Sequence, residues 1–257
     1  MFPVIRMVLT DLDDTLLRSD RSISAFTANA LRRCQAVGVP VGFCTARGES
    51  NIVSFVAQIR PELVISSGGA LARFRGEILH ASLFTLEETR ALIDAGLRLG
   101  CEVTVDTLNG HYWNYAVDPC LTAPDWGDTI RTDYSDFRQE ALKVCIELPE
   151  SALAQSIAAS IGGCDWVRFS GGNWYKFTPA GANKESAIRA VSARLGIPVD
   201  NMIAFGDDYG DIGMLKLCGM GVAVANAAPE VRKAADAVAD SNDLDGVARY
   251  LQNILNL

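Results

Sequence analysis

Residues 1–70 alternate between short apolar runs and stretches with helical spacing. Met7-Val8-Leu9 reads as a buried strand, and Ser24 to Val37 as a helix stopped by Gly38, a residue type suited to the left-handed turn past a helix end. Val39 to Cys44 predicts a second strand, Glu49 to Ile59 a second helix, and Leu63-Val64-Ile65-Ser66 a third strand before Gly68-Gly69. A βαβαβ order of this kind predicts a parallel sheet covered by helices. The rhythm returns near the end. Lys184 to Leu195 predicts a helix closed by Gly196, Met202 to Phe205 a strand, Asp211 to Leu217 a helix, Gly221 to Val224 a strand, and Leu244 to Leu255 a closing helix.

Between these halves the periodicity changes. Thr85-Leu86-Glu87-Glu88 has the form of a capping box and opens an amphipathic helix to Gly100. Short strands are predicted at 102–105, 112–115, 143–147, 166–170 and 174–177, with Asn109-Gly110 and Gly171-Gly172 as turns of an antiparallel sheet. The expected fold is therefore α/β. A Rossmann-like, doubly wound parallel sheet formed by 1–81 and 179–257 carries an inserted α+β domain at 82–178.

Composition narrows the function classes. A chain of 257 residues with 49% hydrophobic and 21% charged residues has the make-up of a globular protein with a substantial core. The net charge of -8 argues against a general nucleic-acid or anionic-membrane binder. Seven cysteines, at 34, 44, 101, 120, 145, 164 and 218, are scattered with no C-x-x-C spacing, which points to reduced thiols rather than a disulfide frame or a zinc site. No run reaches membrane-span length, and the opening apolar stretch is too short for a signal peptide, so a cytoplasmic protein is expected.

Chemistry concentrates at strand ends. Thr10-Asp11-Leu12-Asp13-Asp14-Thr15-Leu16 puts three acids into four positions directly after the first strand. Two charges about 4 Å apart repel by roughly 4 kcal/mol at an effective dielectric near 20, so such a cluster calls for a cation. A hard cation with oxygen ligands, Mg²⁺ foremost, fits it; an acidic surface turn is the plain alternative. Thr45 ends the second strand within Phe43-Cys44-Thr45-Ala46-Arg47. Lys184 opens a helix after Ala182-Asn183, and Gly206-Asp207-Asp208-Tyr209-Gly210-Asp211 follows the strand ending at Phe205. Ligand sites of open α/β sheets lie at such carboxyl ends.

The ordered set of four motifs, with a large insertion between the second and third, resembles the haloacid dehalogenase-like superfamily of phosphohydrolases, specifically its Cof-type members with a cap in the second half of the core. The resemblance covers essentially the whole chain and implies a role for each residue. Asp11 would be the nucleophile, forming an aspartyl-phosphate, and Asp13 the acid and base that serves the leaving alkoxide and then the water. Thr45 and Lys184 would bind the phosphoryl group. Asp11, the Asp13 carbonyl and Asp207 would hold Mg²⁺, with Asp211 and Arg47 in support. Without the resemblance, plainer roles exist. Asp13 could cap a helix, Thr45 end a strand, Lys184 sit on a helix surface, Asp208 serve as a turn acid and Arg47 form a structural salt bridge.

Departures from the family pattern are visible. Gly210 stands where these relatives usually carry Asn, and Ala46 and Asp14 stand where glycine is common. Asn226, in the closing Gly221–Ala227 segment, reads as a turn residue or a contact at the active-site rim. Trp113, Tyr115, Trp126, Trp174 and Tyr175 lie in the insertion and serve either a substrate pocket or the insertion's own core, the second being the simpler reading. His80 and His111 show no partner pattern. The resemblance implies a phosphatase of a small phosphorylated metabolite, with a sugar phosphate as its substrate class, acting as a monomer or small homo-oligomer with no nucleic-acid or membrane partner. A phosphosugar mutase and a non-catalytic regulatory protein on the same scaffold are the competing readings. A phospho-acceptor signalling domain would need neither Asp13 nor a large insertion, and nothing in the chain suggests the nucleotide pocket of a D-x-D glycosyltransferase.

Overall fold

The computed structural model describes residues 4–118, 127, 129–169 and 172–255. Trp126, Cys120 and the turn residue Gly171 lie outside these. The described chain divides into two compact bodies, Met1–Ala46, Phe55–His80 and Asn183–Leu257 forming one, and Arg47–Ser54 and Ala81–Ala182 the other. The boundaries thus differ from the expected 82 and 178 chiefly in the short segment after Ala46, which joins the second body.

The first body is built on strands β1 (Met7–Thr10), β2 (Val41–Cys44), β3 (Leu63–Ser66), β4 (Leu71–Phe74) and β5 (Glu77–Ala81), with β12 (Met202–Gly206), β13 (Met220–Val224) and β14 (Ala237–Ala239) from the end of the chain. Their order is β14-β13-β12-β1-β2-β3-β4-β5, and the strands from β14 to β3 are parallel. β1, β2 and β12 are buried along their whole lengths, which is why they read as continuous apolar runs instead of alternating ones. Gly42 is required at its register position between Leu9 and Leu63. A β-carbon there would lie 2.9 Å from Leu9 Cδ2 and 3.1 Å from Leu63 Cβ. β4 pairs antiparallel with β3, and this strand and β5 were not predicted. They follow a tight turn at Ser67–Gly69, which the sequence showed only as a glycine pair.

The helices of this body are α1 (Ala25–Ala36), α5 (Lys184–Leu195), α6 (Ile212–Leu217), α7 (Pro229–Ala234) and α8 (Gly246–Leu255), with α2 (Val53–Ile59) spanning the boundary. Their ends follow local chemistry. The Ser24 side chain accepts from Thr27 N, and Gly38 and Gly196 take positive φ angles of 83° and 64° after α1 and α5.

The second body contains α3 (Leu86–Arg98), α4 (Ser151–Ile161), and a six-stranded sheet of β6 (Val103–Thr107), β7 (Gly110–Trp113), β8 (Thr129–Arg131), β9 (Lys143–Glu147), β10 (Cys164–Arg168) and β11 (Trp174–Pro179). The order is β10-β11-β9-β6-β7-β8. The pairing is antiparallel as expected, except that β8 joins β7 in parallel. Thr85 forms the anticipated capping box with Glu88. Leu92, Ile93, Val103, Val105, Ile146, Ala154, Tyr175 and Phe177 make the core beneath α3 and α4.

Tyr175 therefore serves the core, whereas Trp113, Tyr115 and Trp174 form a separate aromatic cluster, with ring centroids 5.6 and 5.4 Å apart. The opposite sheet face also carries a buried charged row. Asp106 stands between Lys143 on one neighbouring strand and His111 on the other, at 2.8 and 2.5 Å. Burial alone would push the Asp106 carboxyl up. Lys143 and His111 outweigh it and hold the group well below the usual carboxylate range. His111 thus has the partners its sequence context did not reveal. Gly48 packs on the same carboxylate, where a β-carbon would come within 2.5 Å of Asp106 Oδ2, so the 47–54 segment belongs to this body.

Among the described residues, no helix is long and apolar enough to cross a membrane. The six described cysteines are all free thiols, four of them buried.

Candidate active site

Strand order decides which motifs meet. From β1 the chain runs outward through β2 and β3 on one side, and later through β12, β13 and β14 on the other. The crevice between β1 and β12 is the switch point at which such sheets bind ligands. Asp11, Asp207 and Thr45 are the first residues beyond β1, β12 and β2. Asp11 N donates to Phe205 O at 2.9 Å, extending the ladder by one rung and fixing the backbone under the carboxylate. Thr45 is fully buried, with its N–H on Ile65 O at 2.8 Å and its carbonyl accepting from Gly68 N at 3.0 Å.

The chain leaves Asp11 through a wide helical turn, Leu12–Leu16, closed by a bond from Leu17 N to Leu12 O at 2.8 Å. Leu12 and Leu16 anchor it in the core, while Asp13 remains half-exposed and Asp14 exposed. Asp14 adopts φ 54°, a left-handed conformation that favours glycine. Thr15 points inward and donates its hydroxyl to Asp207 Oδ1 at 2.6 Å. Sequence reasoning assigned Thr15 no role. A threonine four residues after an acid carries no signal until the sheet brings β12 beside β1.

Lys184 is placed by two devices. Asn183 caps α5 through Ser186 N, and the preceding backbone passes so close to Gly69 that a β-carbon there would fall 2.1 Å from Asn183 C. The buried ammonium donates to Asp11 Oδ1 at 2.7 Å and Asp211 Oδ1 at 2.6 Å. The other Asp211 oxygen accepts from the backbone N–H groups of Asp207 and Asp208, at 3.0 and 3.2 Å. Asp211 is therefore a keystone between the lysine and the acidic loop. Carboxylate oxygens of Asp11, Asp207 and Asp211 lie within 4.8 Å of one another. Asp13 is not part of that carboxylate group, and Asp208 is exposed and offers the cluster its N–H. Arg47 lies in the segment that packs with the second body, where its NH1 donates to Asn51 O at 3.1 Å. Gly210 is exposed, and a β-carbon there would meet nothing within 4 Å.

Three clustered carboxylates face one ammonium, so the pocket carries excess negative charge. Burial holds the Asp11 carboxyl well above its ordinary range, and Asp211 and Asp207 add to this against the pull of Lys184. Burial likewise pushes Asp207 up to about 7 despite the Thr15 hydroxyl, with Asp211 and Asp14 contributing. For Lys184, burial acts to release the proton, but Asp11 and Asp211 prevail and raise its pKa. An all-oxygen donor set with unbalanced negative charge fits a hard divalent cation.

The shift at Asp207 has a definite sign. Between about pH 4, the ordinary carboxylate value, and pH 7, the unfolded chain has lost a proton that the folded chain keeps. Stability without metal therefore falls as pH rises through that window and levels off above it. A divalent cation is expected to raise the melting midpoint by several degrees at about pH 7.5 and by much less at about pH 5. Thermal melts with Mg²⁺ and with chelator check this; equal shifts at both pH values would contradict it.

A family profile described as haloacid dehalogenase-like hydrolase matches residues 8–251. The chain belongs to the haloacid dehalogenase-like hydrolase family. The match includes residues of both bodies. It is 25% identical over 254 residues to the 5-amino-6-(5-phospho-D-ribitylamino)uracil phosphatase of Bacillus subtilis, covering 97% of this chain and 95% of that protein. It is also 27% identical over 251 residues to the phosphoglycolate phosphatase of Methanothermobacter thermautotrophicus, covering 98% and 99%. The solved structure of a haloacid dehalogenase-like hydrolase from Bacteroides thetaiotaomicron superposes with a TM-score of 0.86 at 22% identity, covering 97% of this chain and 99% of that one. The last likeness concerns the fold.

Proposed function

We propose that this haloacid dehalogenase-like hydrolase is a Mg²⁺-dependent phosphomonoesterase that acts on a small phosphorylated metabolite of the sugar-phosphate class. The observation that carries the reading is the contact of Lys184 with both Asp11 and Asp211, beside Asp207, at the switch point of the sheet. Two relatives are named phosphatases, and one of them bears a phosphorylated ribityl chain in its substrate name. Asp11 attacks phosphorus while Asp13 protonates the departing alkoxide, leaving a phosphorylated Asp11. Asp13, now a base, takes a proton from the water that attacks this intermediate, releasing inorganic phosphate and restoring both carboxyls. Lys184 neutralises charge between Asp11 and the phosphoryl group, and Thr45 binds phosphoryl oxygens. Asp11, Asp207 and the Asp13 carbonyl would hold Mg²⁺, whose chemistry is to offset the negative charge of nucleophile and ester. The second body, with Arg47, is the proposed determinant of substrate choice.

The test is phosphate release from a panel of phosphorylated metabolites and an aryl phosphate, with Mg²⁺ and with chelator. Metal-dependent turnover supports the reading. Silence across the panel, from folded protein that binds Mg²⁺, supports a regulatory protein instead. The open space at Gly210 adds a second test. Gly210→Asn is expected to leave stability within about 0.5 kcal/mol, as surface changes usually do, and to lower the half-saturating Mg²⁺ concentration several-fold. Magnesium titration of the turnover rate checks it.

A further inference from the structure

The turn that delivers Asp13 and Thr15 is clasped from outside by two asparagines far along the chain. Asn226 Nδ2 donates to Asp14 O at 2.7 Å, and Asn226 Oδ1 accepts from Asn242 N at 3.0 Å. Asn242 Nδ2 in turn donates to Leu17 O at 3.0 Å, in a buried position. The amide of Asn226 fits in one orientation only, because the Asp14 carbonyl needs a donor and the Asn242 N–H needs an acceptor. The carbonyls so engaged, at 14 and 17, are among those that the end of a helical turn leaves without partners inside the turn. The clasped residue is also the strained one, since Asp14 is the position with φ 54°. On either side of it are Asp13 and Thr15, the second of which holds Asp207. The peptide groups of a strained residue set the direction of both neighbours, so whatever holds Asp14 also aims Asp13 and Thr15.

We propose that Asn226 is a positioning residue of the active site, which holds Asp14 in its left-handed conformation and thereby presets Asp13 and the Thr15–Asp207 contact for the cation and for proton transfer. The catalytic part of this role rests on the phosphatase reading; the effect on cation binding does not. The local economy of the turn supports the assignment. The left-handed region costs a non-glycine residue some free energy, less for Asp than for most, and the Asn226 bond to Asp14's own carbonyl offsets that cost. Asn226 is exposed while its relay partner Asn242 is buried, so the clasp is anchored in the interior and reaches out to the turn. The closing segment is also bonded to the acidic loop, Ala228 N donating to Asp207 O at 3.2 Å, which gives the clasp a firm base.

A compensation is expected. If Asn226 acts by holding the left-handed residue, glycine at 14, which adopts that conformation without a penalty, should make Asn226 dispensable. The experiment compares wild type, Asn226→Ala, Asn226→Asp, Asp14→Gly and the double variant Asn226→Ala/Asp14→Gly. Mg²⁺ affinity is read by calorimetry, kcat and KM by phosphate release, and folding by thermal melts. Asn226→Ala is expected to weaken Mg²⁺ binding and lower kcat by about tenfold, the worth of one well-placed hydrogen bond, with KM within about twofold. Asn226→Asp keeps the acceptor for Asn242 but cannot donate to Asp14, and should be as poor. In the Asp14→Gly background the Asn226→Ala change should cost less than about threefold in both quantities; the single Asp14→Gly variant serves as the reference and absorbs the loss of the Asp14 charge. An equal loss in both backgrounds, or no loss in Asn226→Ala, overturns the proposal. If no variant, wild type included, releases phosphate, the phosphatase reading fails, while calorimetry still decides the role of Asn226.

Discussion

Asp11→Asn is expected to abolish phosphate release, by more than about 10³-fold, with the fold intact. The substitution keeps the shape of the side chain and removes the anionic oxygens proposed to attack phosphorus, together with the charge that faces Lys184. Asn cannot become the phosphorylated intermediate. Asp211, one of the clustered acids, has one oxygen committed to Lys184 and the other to two backbone N–H groups. Asp207 is held by Thr15. The stability outcome separates chemistry from damage. Burial holds the Asp11 carboxyl well above its ordinary range against the pull of Lys184, so a neutral amide avoids the cost of a buried charge in the absence of metal. The melting midpoint of the metal-free variant is therefore expected to equal or exceed that of wild type. Phosphate release on the best panel substrate, together with mass spectrometry of quenched reactions for a phosphorylated Asp11 peptide, checks the prediction. Retention of more than a few per cent of activity would remove Asp11 from the nucleophile role.

Lys184→Met carries the second large effect, and it falls on stability as well as rate. The ammonium is buried and bonded to two carboxylates at 2.7 and 2.6 Å. Removing one partner of a buried ion pair costs about 3–5 kcal/mol, because the remaining charge is left uncompensated. Methionine fills much of the space of the lysine stem, so the loss reports charge rather than a cavity. At about 2–4 °C per kcal/mol for a chain of this size, the midpoint at neutral pH should fall by roughly 10 °C. The stranded acids can bind protons as pH falls, so the deficit should shrink at about pH 5. Added Mg²⁺ should recover part of it by supplying the missing positive charge. Phosphate release should remain low under every condition, since the ammonium proposed to offset charge at the phosphoryl group is gone. Chemical denaturation at two pH values measures the stability arm, and a change under about 1 kcal/mol at neutral pH would show that the pair is not the structural link inferred here.

Much of the fold was legible because its signals are local. The apolar runs at Met7–Thr10 and Met202–Gly206 are continuous because both faces of those strands are covered. α5 begins and ends at the residues predicted, since Asn183 and Gly196 carry their instructions in their own side chains and backbone freedom. α4 was missed. Glu150 makes no side-chain cap and the first turn has no acid, so nothing local marked its start. β4, β5, β8 and β14 were also missed, being short segments that become strands through the neighbours they meet.

The sequence by itself determined which residues crowd the ends of β1, β2 and β12, and that order along the chain was enough to place it in its family. What the tertiary structure alone decided are the pairings across long separations. Thr15 meets Asp207, Asn226 clasps Asp14, Asp211 bridges Lys184 to the acidic loop, and Asp106 meets Lys143. Caps, turns and apolar runs act over a few residues and leave a local trace. A cross-strand register or a carbonyl waiting for a distant amide has none, because its partner is chosen by the packing of the whole sheet.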